Sequence, residues 1–122
     1  MEENNSAERY YFLGFGYDAD QNIQMTRGDT FSFGIEMQGL DQSLDAAFFT
    51  CRKSYDDDIT FQKSIGNGIE EVETGLYSVR IAPEDTKNLE AGHYYYDMKI
   101  YVNNDAYTLS KGDLWIQHDS TY

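Results

Sequence analysis

Proline and cysteine are almost missing from this chain of 122 residues, which has one of each, Pro83 and Cys51. A single cysteine excludes an internal disulfide. A single proline leaves long stretches whose backbone N–H groups are all available for sheet hydrogen bonds. Positive charge is scarce too: 9 Lys and Arg stand against 22 Asp and Glu, a net charge of −13. Phosphate contacts need lysine and arginine, so this balance excludes a direct grip on nucleic acid or anionic membrane. No apolar run approaches the ~20 residues of a membrane span, and no amphipathic helix of useful length is present. The segment Met1–Glu8 is acidic and polar, without the apolar core of a signal peptide. The expectation is a soluble product made in the cytoplasm, which reaches any extracellular place by a route other than secretion.

Aromatic residues are what the chain has in plenty: they make up 16% of it and include eleven tyrosines. Such side chains pack well on a pleated, half-buried surface. The longest alternating run, Tyr94 to Val102, puts Tyr94, Tyr96, Met98, Ile100 and Val102 on one face. Tyr95, Asp97, Lys99 and Tyr101 fall on the other. Before it, Leu89, Gly92 and Tyr94 have the spacing of a tyrosine corner, in which the hydroxyl bonds back to the backbone a few residues upstream. Pro83 to Leu89 reads as the lead into that corner, with at most one helical turn.

Earlier strands follow the same period. Ile23 and Met25 begin a short one that ends at Arg27-Gly-Asp29. Phe31, Phe33, Ile35 and Met37 are the inner face of the next. In Ala46 to Lys53 the inner set is Ala47, Phe49 and Cys51, although Ala46, Phe48 and Thr50 fit nearly as well. The Asp56-Asp-Asp58 turn leads to Ile59–Ile65, and Gly66-Asn-Gly68 is a turn signal because both residue types tolerate positive φ. An acidic ribbon through Glu70, Glu71 and Glu73 precedes a strand with Tyr77, Val79 and Ile81 inside. Asn103-Asn-Asp105 makes a tight hairpin, and a bulge is expected at Ser110-Lys-Gly-Asp113 before Leu114–His118. Together these predict an all-β immunoglobulin-like sandwich of seven to eight antiparallel strands. It spans residues 19–122, behind a tail and aromatic arm at 1–18.

Candidate chemistry is thin. His93 and His118 lack the short spacing of zinc ligands, and His93 reads as a solvated residue on the outer side of its strand. Cys51 in a strand reads as packing rather than as a nucleophile. Asp56-Asp-Asp58, with Asp45 or Glu70, lacks the spaced acids of a calcium loop. Arg27-Gly-Asp29 matches a cell-adhesion tripeptide but simply turns the chain. Gly14-x-Gly16 lies in an aromatic stretch with no helix after it, unlike a phosphate loop. No catalytic, cofactor or metal site is expected, and no enzymatic activity.

From about Met25 to Thr121 the order of features resembles a phage virion family. It is similar to the immunoglobulin-like N-terminal domain of the upper baseplate protein in siphophages of Gram-positive bacteria, and to related small tail proteins. The residues that carry the resemblance begin with Arg27-Gly-Asp-Thr-Phe31 and, after a hairpin, Gly68-Ile69. Thr74-Gly-Leu-Tyr77 and Glu84-Asp-Thr86 follow, then the corner through Asp97, Tyr107-Thr-Leu109 and Lys111-Gly-Asp-Leu114. The resemblance implies a structural subunit of the virion, assembled in the host cytoplasm. Its partners would be other virion proteins and further copies of itself, with no direct contact to nucleic acid or membrane.

Two other functions remain open. One is an acidic mimic of DNA that occupies a nucleic-acid-binding protein. The other is an adhesin-like domain displayed on the particle, with Tyr95, Tyr101 and Trp115 exposed for weak carbohydrate binding. The arm lies outside the resemblance and carries Tyr10, Tyr11, Phe12, Phe15 and Tyr17. It holds more apolar surface than one small sandwich can easily cover, so it is expected to pack on a neighbouring subunit, the alternative being that it is the first strand of its own sheet.

Overall fold

A computed structural model describes residues 22–37 and 39–119 of the chain. The aromatic arm with Tyr10, Tyr11, Phe12, Phe15 and Tyr17, and the boundary drawn after residue 18, lie outside the described residues. Eight strands and one helical turn follow in order: β1 (Ile23–Thr26), β2 (Phe31–Glu36), β3 (Ala46–Arg52), β4 (Ile59–Ile65), β5 (Gly68–Glu73), β6 (Leu76–Ile81), α1 (Pro83–Thr86), β7 (Gly92–Val102) and β8 (Asp105–Gln117).

The strands form one ladder in the order β1-β8-β7-β3-β4-β5-β6-β2. The ladder must fold over on itself, because the rings of Phe33 on β2 and Phe49 on β3 lie 5.5 Å apart although three strands separate them in that order. The fold falls at β4–β5, which are joined only by Ser64 with Gly68 and Ile65 with Ile69. Two layers result, β1-β8-β7-β3-β4 over β5-β6-β2. Gly66-Asn-Gly68 is therefore a crossover between layers and not the hairpin the sequence suggested; both glycines hold positive φ there.

Most pairings are antiparallel, but β1 runs parallel to β8, and the short β4–β5 pairing is parallel too. That departs from the all-antiparallel expectation. A chain that starts in one layer and crosses at once into the other can meet its own last strand in either direction.

The alternation places the core where it was expected. Tyr94, Tyr96, Met98, Ile100 and Val102 are buried, as are Ala47, Phe49 and Cys51, and Tyr77, Val79 and Ile81. Phe49 stands at the centre, stacked on Tyr96 and edge-on to Phe33, so it ties the layers together. Burying side chains of this size stabilises by ~1.5–3 kcal/mol each.

The hairpin between β7 and β8 has two residues, Asn103 and Asn104, both at positive φ. The bulge falls earlier than expected. Met98 pairs with Ser110 and Lys99 with Thr108, so Leu109 is the extra residue. This single insertion shifts the alternation of β8, so that inner residues change from odd numbers to Ser110, Leu114 and Ile116.

Candidate contact face

The outer surface of the larger layer can be read directly from its register. Along β7, His93, Tyr95, Asp97, Lys99 and Tyr101 face outward. On β8 their neighbours are Trp115, Asp113, Lys111, Thr108 and Ala106. On β3, Arg52 lies beside Tyr95, Thr50 beside Asp97 and Phe48 beside Lys99.

A ribbon of rings crosses one end of this face. Tyr55, from the loop after β3, stacks on Tyr95 at 4.3 Å. Tyr95 meets the edge of His93 at 4.5 Å, and His93 lies 4.6 Å from Trp115. The His93 ring is anchored by a 2.8 Å hydrogen bond between Nε2 and Asp113 Oδ1. Tyr55 and Trp115 are 65% and 43% exposed, so the ends of the ribbon are its most open parts. Stacked rings hold each other in place, which lowers the ordering cost of binding something across them.

His93 is thus not the solvated side chain that its position suggested. Tyr95 is half-buried because Tyr55 covers it, and Tyr55 was not legible as part of any site. Tyr101 stands apart at the other end of the face, edge-on to Phe48 at 6.0 Å. Between the two ends lie charges: Arg52 is 3.9 Å from Asp97, and Lys99 and Lys111 flank that pair. An open pocket of about 510 Å³ lies here, with Tyr55 and Leu109 on its walls and Lys99 and Lys111 beside them.

A larger open pocket, of about 750 Å³, adjoins the corner and includes Arg27, Lys87 and Asp119. Its arginine is already engaged. Arg27 donates from Nε and a terminal nitrogen to Asp119 Oδ1, at 3.1 and 2.9 Å, and from the other terminal nitrogen to Leu89 O at 3.2 Å. The guanidinium hydrogen bond holds the Asp119 carboxyl below its ordinary range. Arg27-Gly-Asp29 is a clamp as well as a turn, for Gly28 at positive φ donates its N–H to the buried Thr86 Oγ1 at 2.8 Å. At the corner itself Tyr94 donates its hydroxyl to Glu90 O at 2.7 Å, with Gly92 at positive φ and Leu89 packed against the core.

Other candidates are placed apart or closed off. Asp45 precedes β3 and Asp56 follows it, so seven residues of strand hold them ~20 Å apart, too far to share an ion. Asp45 instead accepts the N–H of Asn103 at 3.1 Å. Among the described residues no group of three His, Cys, Asp or Glu is placed to hold a metal. Cys51 is fully buried, and burial pushes its thiol up to about 12, so no thiolate is available for attack. His118 is exposed and remote from Cys51 in the ladder. The described side chains assemble no catalytic constellation.

These features define an immunoglobulin-like β-sandwich of eight mostly antiparallel strands, with an aromatic ribbon on its outer sheet face. Among solved structures the chain is similar to CopC from Methylosinus trichosporium OB3b, with a TM-score of 0.51 and 8% identity over 93% of this chain and 98% of that one. It also matches murine CRIg, with a TM-score of 0.46 and 9% identity over 81% of this chain and 92% of that one. At such identities the likeness to CopC is one of fold alone. No protein-family model matches the chain, and comparison with curated proteins finds no match.

Proposed function

We propose that this domain is a non-enzymatic, adhesin-like contact module displayed on a phage particle, and that its working surface is the Trp115–His93–Tyr95–Tyr55 ribbon. The observation that carries the reading is the stacked, solvent-open ribbon, with rings 4.3 to 4.6 Å apart and polar groups beside it. Flat aromatic faces cover the C–H face of a pyranose, while Asp113, Lys111 and Arg52 are near enough in register to meet its hydroxyls. A shallow face of this kind binds weakly, which suits a module present in many copies on one particle.

The phage setting is supported by the order of motifs from Arg27 to Leu114. Acids favour no mimicry of DNA: they are dispersed over the Asp56–Asp58 turn, the β5 edge and the loops, and the outer face of the larger layer carries cations. In a second reading the same ribbon packs on another virion protein, and the arm Tyr10–Tyr17 adds a further contact to a neighbouring subunit. Deletion of residues 1–18 tests the arm: the truncated chain should fold normally yet fail to enter particles.

Trp115 is the chain's one tryptophan and lies in the ribbon, so its fluorescence reports binding directly. Titration with saccharides from a glycan array should shift that emission. Tyr55→Ala should abolish that shift, and Trp115→Ala, which lacks the reporter, should lose its signal on the array itself, both with unchanged melting. A negative array, together with retained capture of particle proteins by both variants, would overturn the assignment of the ribbon.

A further inference from the structure

In a chain with 22 acids and 9 bases, Lys99 and Lys111 have no ion-pair partner among the described residues. Both border the open pocket of about 510 Å³ whose apolar walls are Tyr55 and Leu109. The pocket thus sets two apolar side chains beside two lysines, and the one acid that lines it, Asp97, lies 3.9 Å from Arg52, on a protein that is otherwise strongly negative.

The opposite layer carries the converse shape. β5 pairs with β4 only through Gly68 and Ile69, so Glu70–Glu73 is open along that edge. Its pairing with β6 passes from Glu71–Tyr77 to Glu73–Leu76, which makes Val72 a bulged residue. Bulges of this kind re-aim a side chain at a sheet edge. Val72 is 60% exposed, the second most exposed of the large apolar side chains described, and Glu70, Glu71 and Glu73 surround it. Ser43 Oγ donates to the Glu71 carboxylate at 2.9 Å, which leaves Glu70 and Glu73 without a described partner. An apolar knob ringed by acid is the complement of an apolar pocket ringed by base.

We infer that a second copy of this chain is the occupant: Val72 of one copy enters the Tyr55–Leu109 pocket of the next, and Glu70 and Glu73 meet Lys99 and Lys111. The two patches lie on different layers, so the contact is head-to-tail and repeats into a ring or an open row. Local complementarity of this kind is needed to overcome repulsion between copies that each carry a charge of −13. The inference goes beyond the ligand reading above and survives its failure, since it does not use Trp115 or His93.

Charge reversal tests it on the full-length chain by sedimentation velocity. Wild type should associate at concentrations up to about 1 mM. Lys99→Glu/Lys111→Glu alone and Glu70→Lys/Glu73→Lys alone should each be monomeric, with wild-type circular dichroism. Mixed in equal amounts, they should assemble again with the two variants alternating, because each knob then meets a pocket of opposite charge. Trp115→Ala should associate like wild type. A monomeric wild type, variants that still self-associate, or a mixture that stays monomeric would each overturn the inference. So would association that survives both reversals and vanishes on deletion of residues 1–18, which would assign the contact to the arm.

Discussion

Asp85→Ala should be among the most costly single changes to this sandwich, and it acts through Lys63. Lys63 is on the inner side of β4, beside Phe49 in register, and its side chain is only 8% exposed. Its ammonium lies 2.9 Å from Asp85 Oδ2 in α1. Removing one partner of a buried pair costs ~3–5 kcal/mol, because the remaining charge is left desolvated. The same oxygen accepts the Ala82 N–H at 2.7 Å and so caps α1, a contact worth ~1 kcal/mol. The pair reaches the protein edge at Asp85, which is 18% exposed, so relaxation toward water keeps the total near the lower end, ~3–4 kcal/mol.

The reverse change should be mild. Lys63→Met keeps the stem and removes the charge that needed a partner, while Asp85 retains the Ala82 N–H and some water; the expected cost is below ~1.5 kcal/mol. Asp85→Asn should fall between, since its amide oxygen still caps the helix. Adding Lys63→Met to Asp85→Ala should recover most of the loss. Urea unfolding followed by circular dichroism, at constant m-value, measures all four. Equal costs for Lys63→Met and Asp85→Ala, or a double variant no better than Asp85→Ala, would refute the reasoning.

Gly68→Ala should lose ~2–3 kcal/mol in the same assay, since an L-residue is strained at φ +98° and its Cβ would press on Lys63 and on Arg80 O. A loss below ~0.5 kcal/mol would mean that the crossover is not held as described. Tyr94→Phe should cost ~1–2 kcal/mol by freeing Glu90 O, while Tyr95→Phe on the outer face should cost little. Equal effects would mean that the two faces of β7 are exchanged. Asp119 is held below its ordinary value of 3.8, first by the Arg27 hydrogen bond. Its contribution is present above that value and is lost as pH falls through the lower, folded value. Asp119→Asn should therefore melt lower than wild type near neutrality and converge with it in acid. A constant difference between the two from about pH 5 to about pH 2 would show that the charge is not involved.

Period-two alternation determined which face of nearly every strand is buried, because each residue's side is set by its neighbours along the chain. Tyr94, Phe49 and Val79 could be assigned inward without knowing what they touch. Asn103-Asn104 declared its hairpin in the same local way, through tolerance of positive φ. The corner at Leu89, Gly92 and Tyr94 was also readable, since its hydrogen bond spans only four residues. Tertiary structure alone decided how strands line up with one another. The Leu109 and Val72 bulges, the crossover at Gly66–Gly68 and the parallel pairing of β1 all depend on which strand lies alongside, and no residue encodes that by itself. The ribbon has the same origin: Tyr55 meets Tyr95, and His93 meets Trp115, only because β3, β7 and β8 are neighbours in one particular register. Lys63 and Asp85, 22 residues apart, became a buried pair for the same reason. Local geometry is a property of the chain, whereas adjacency is settled by the burial of all the strands together, and the candidate contact surfaces of this protein are made of adjacency.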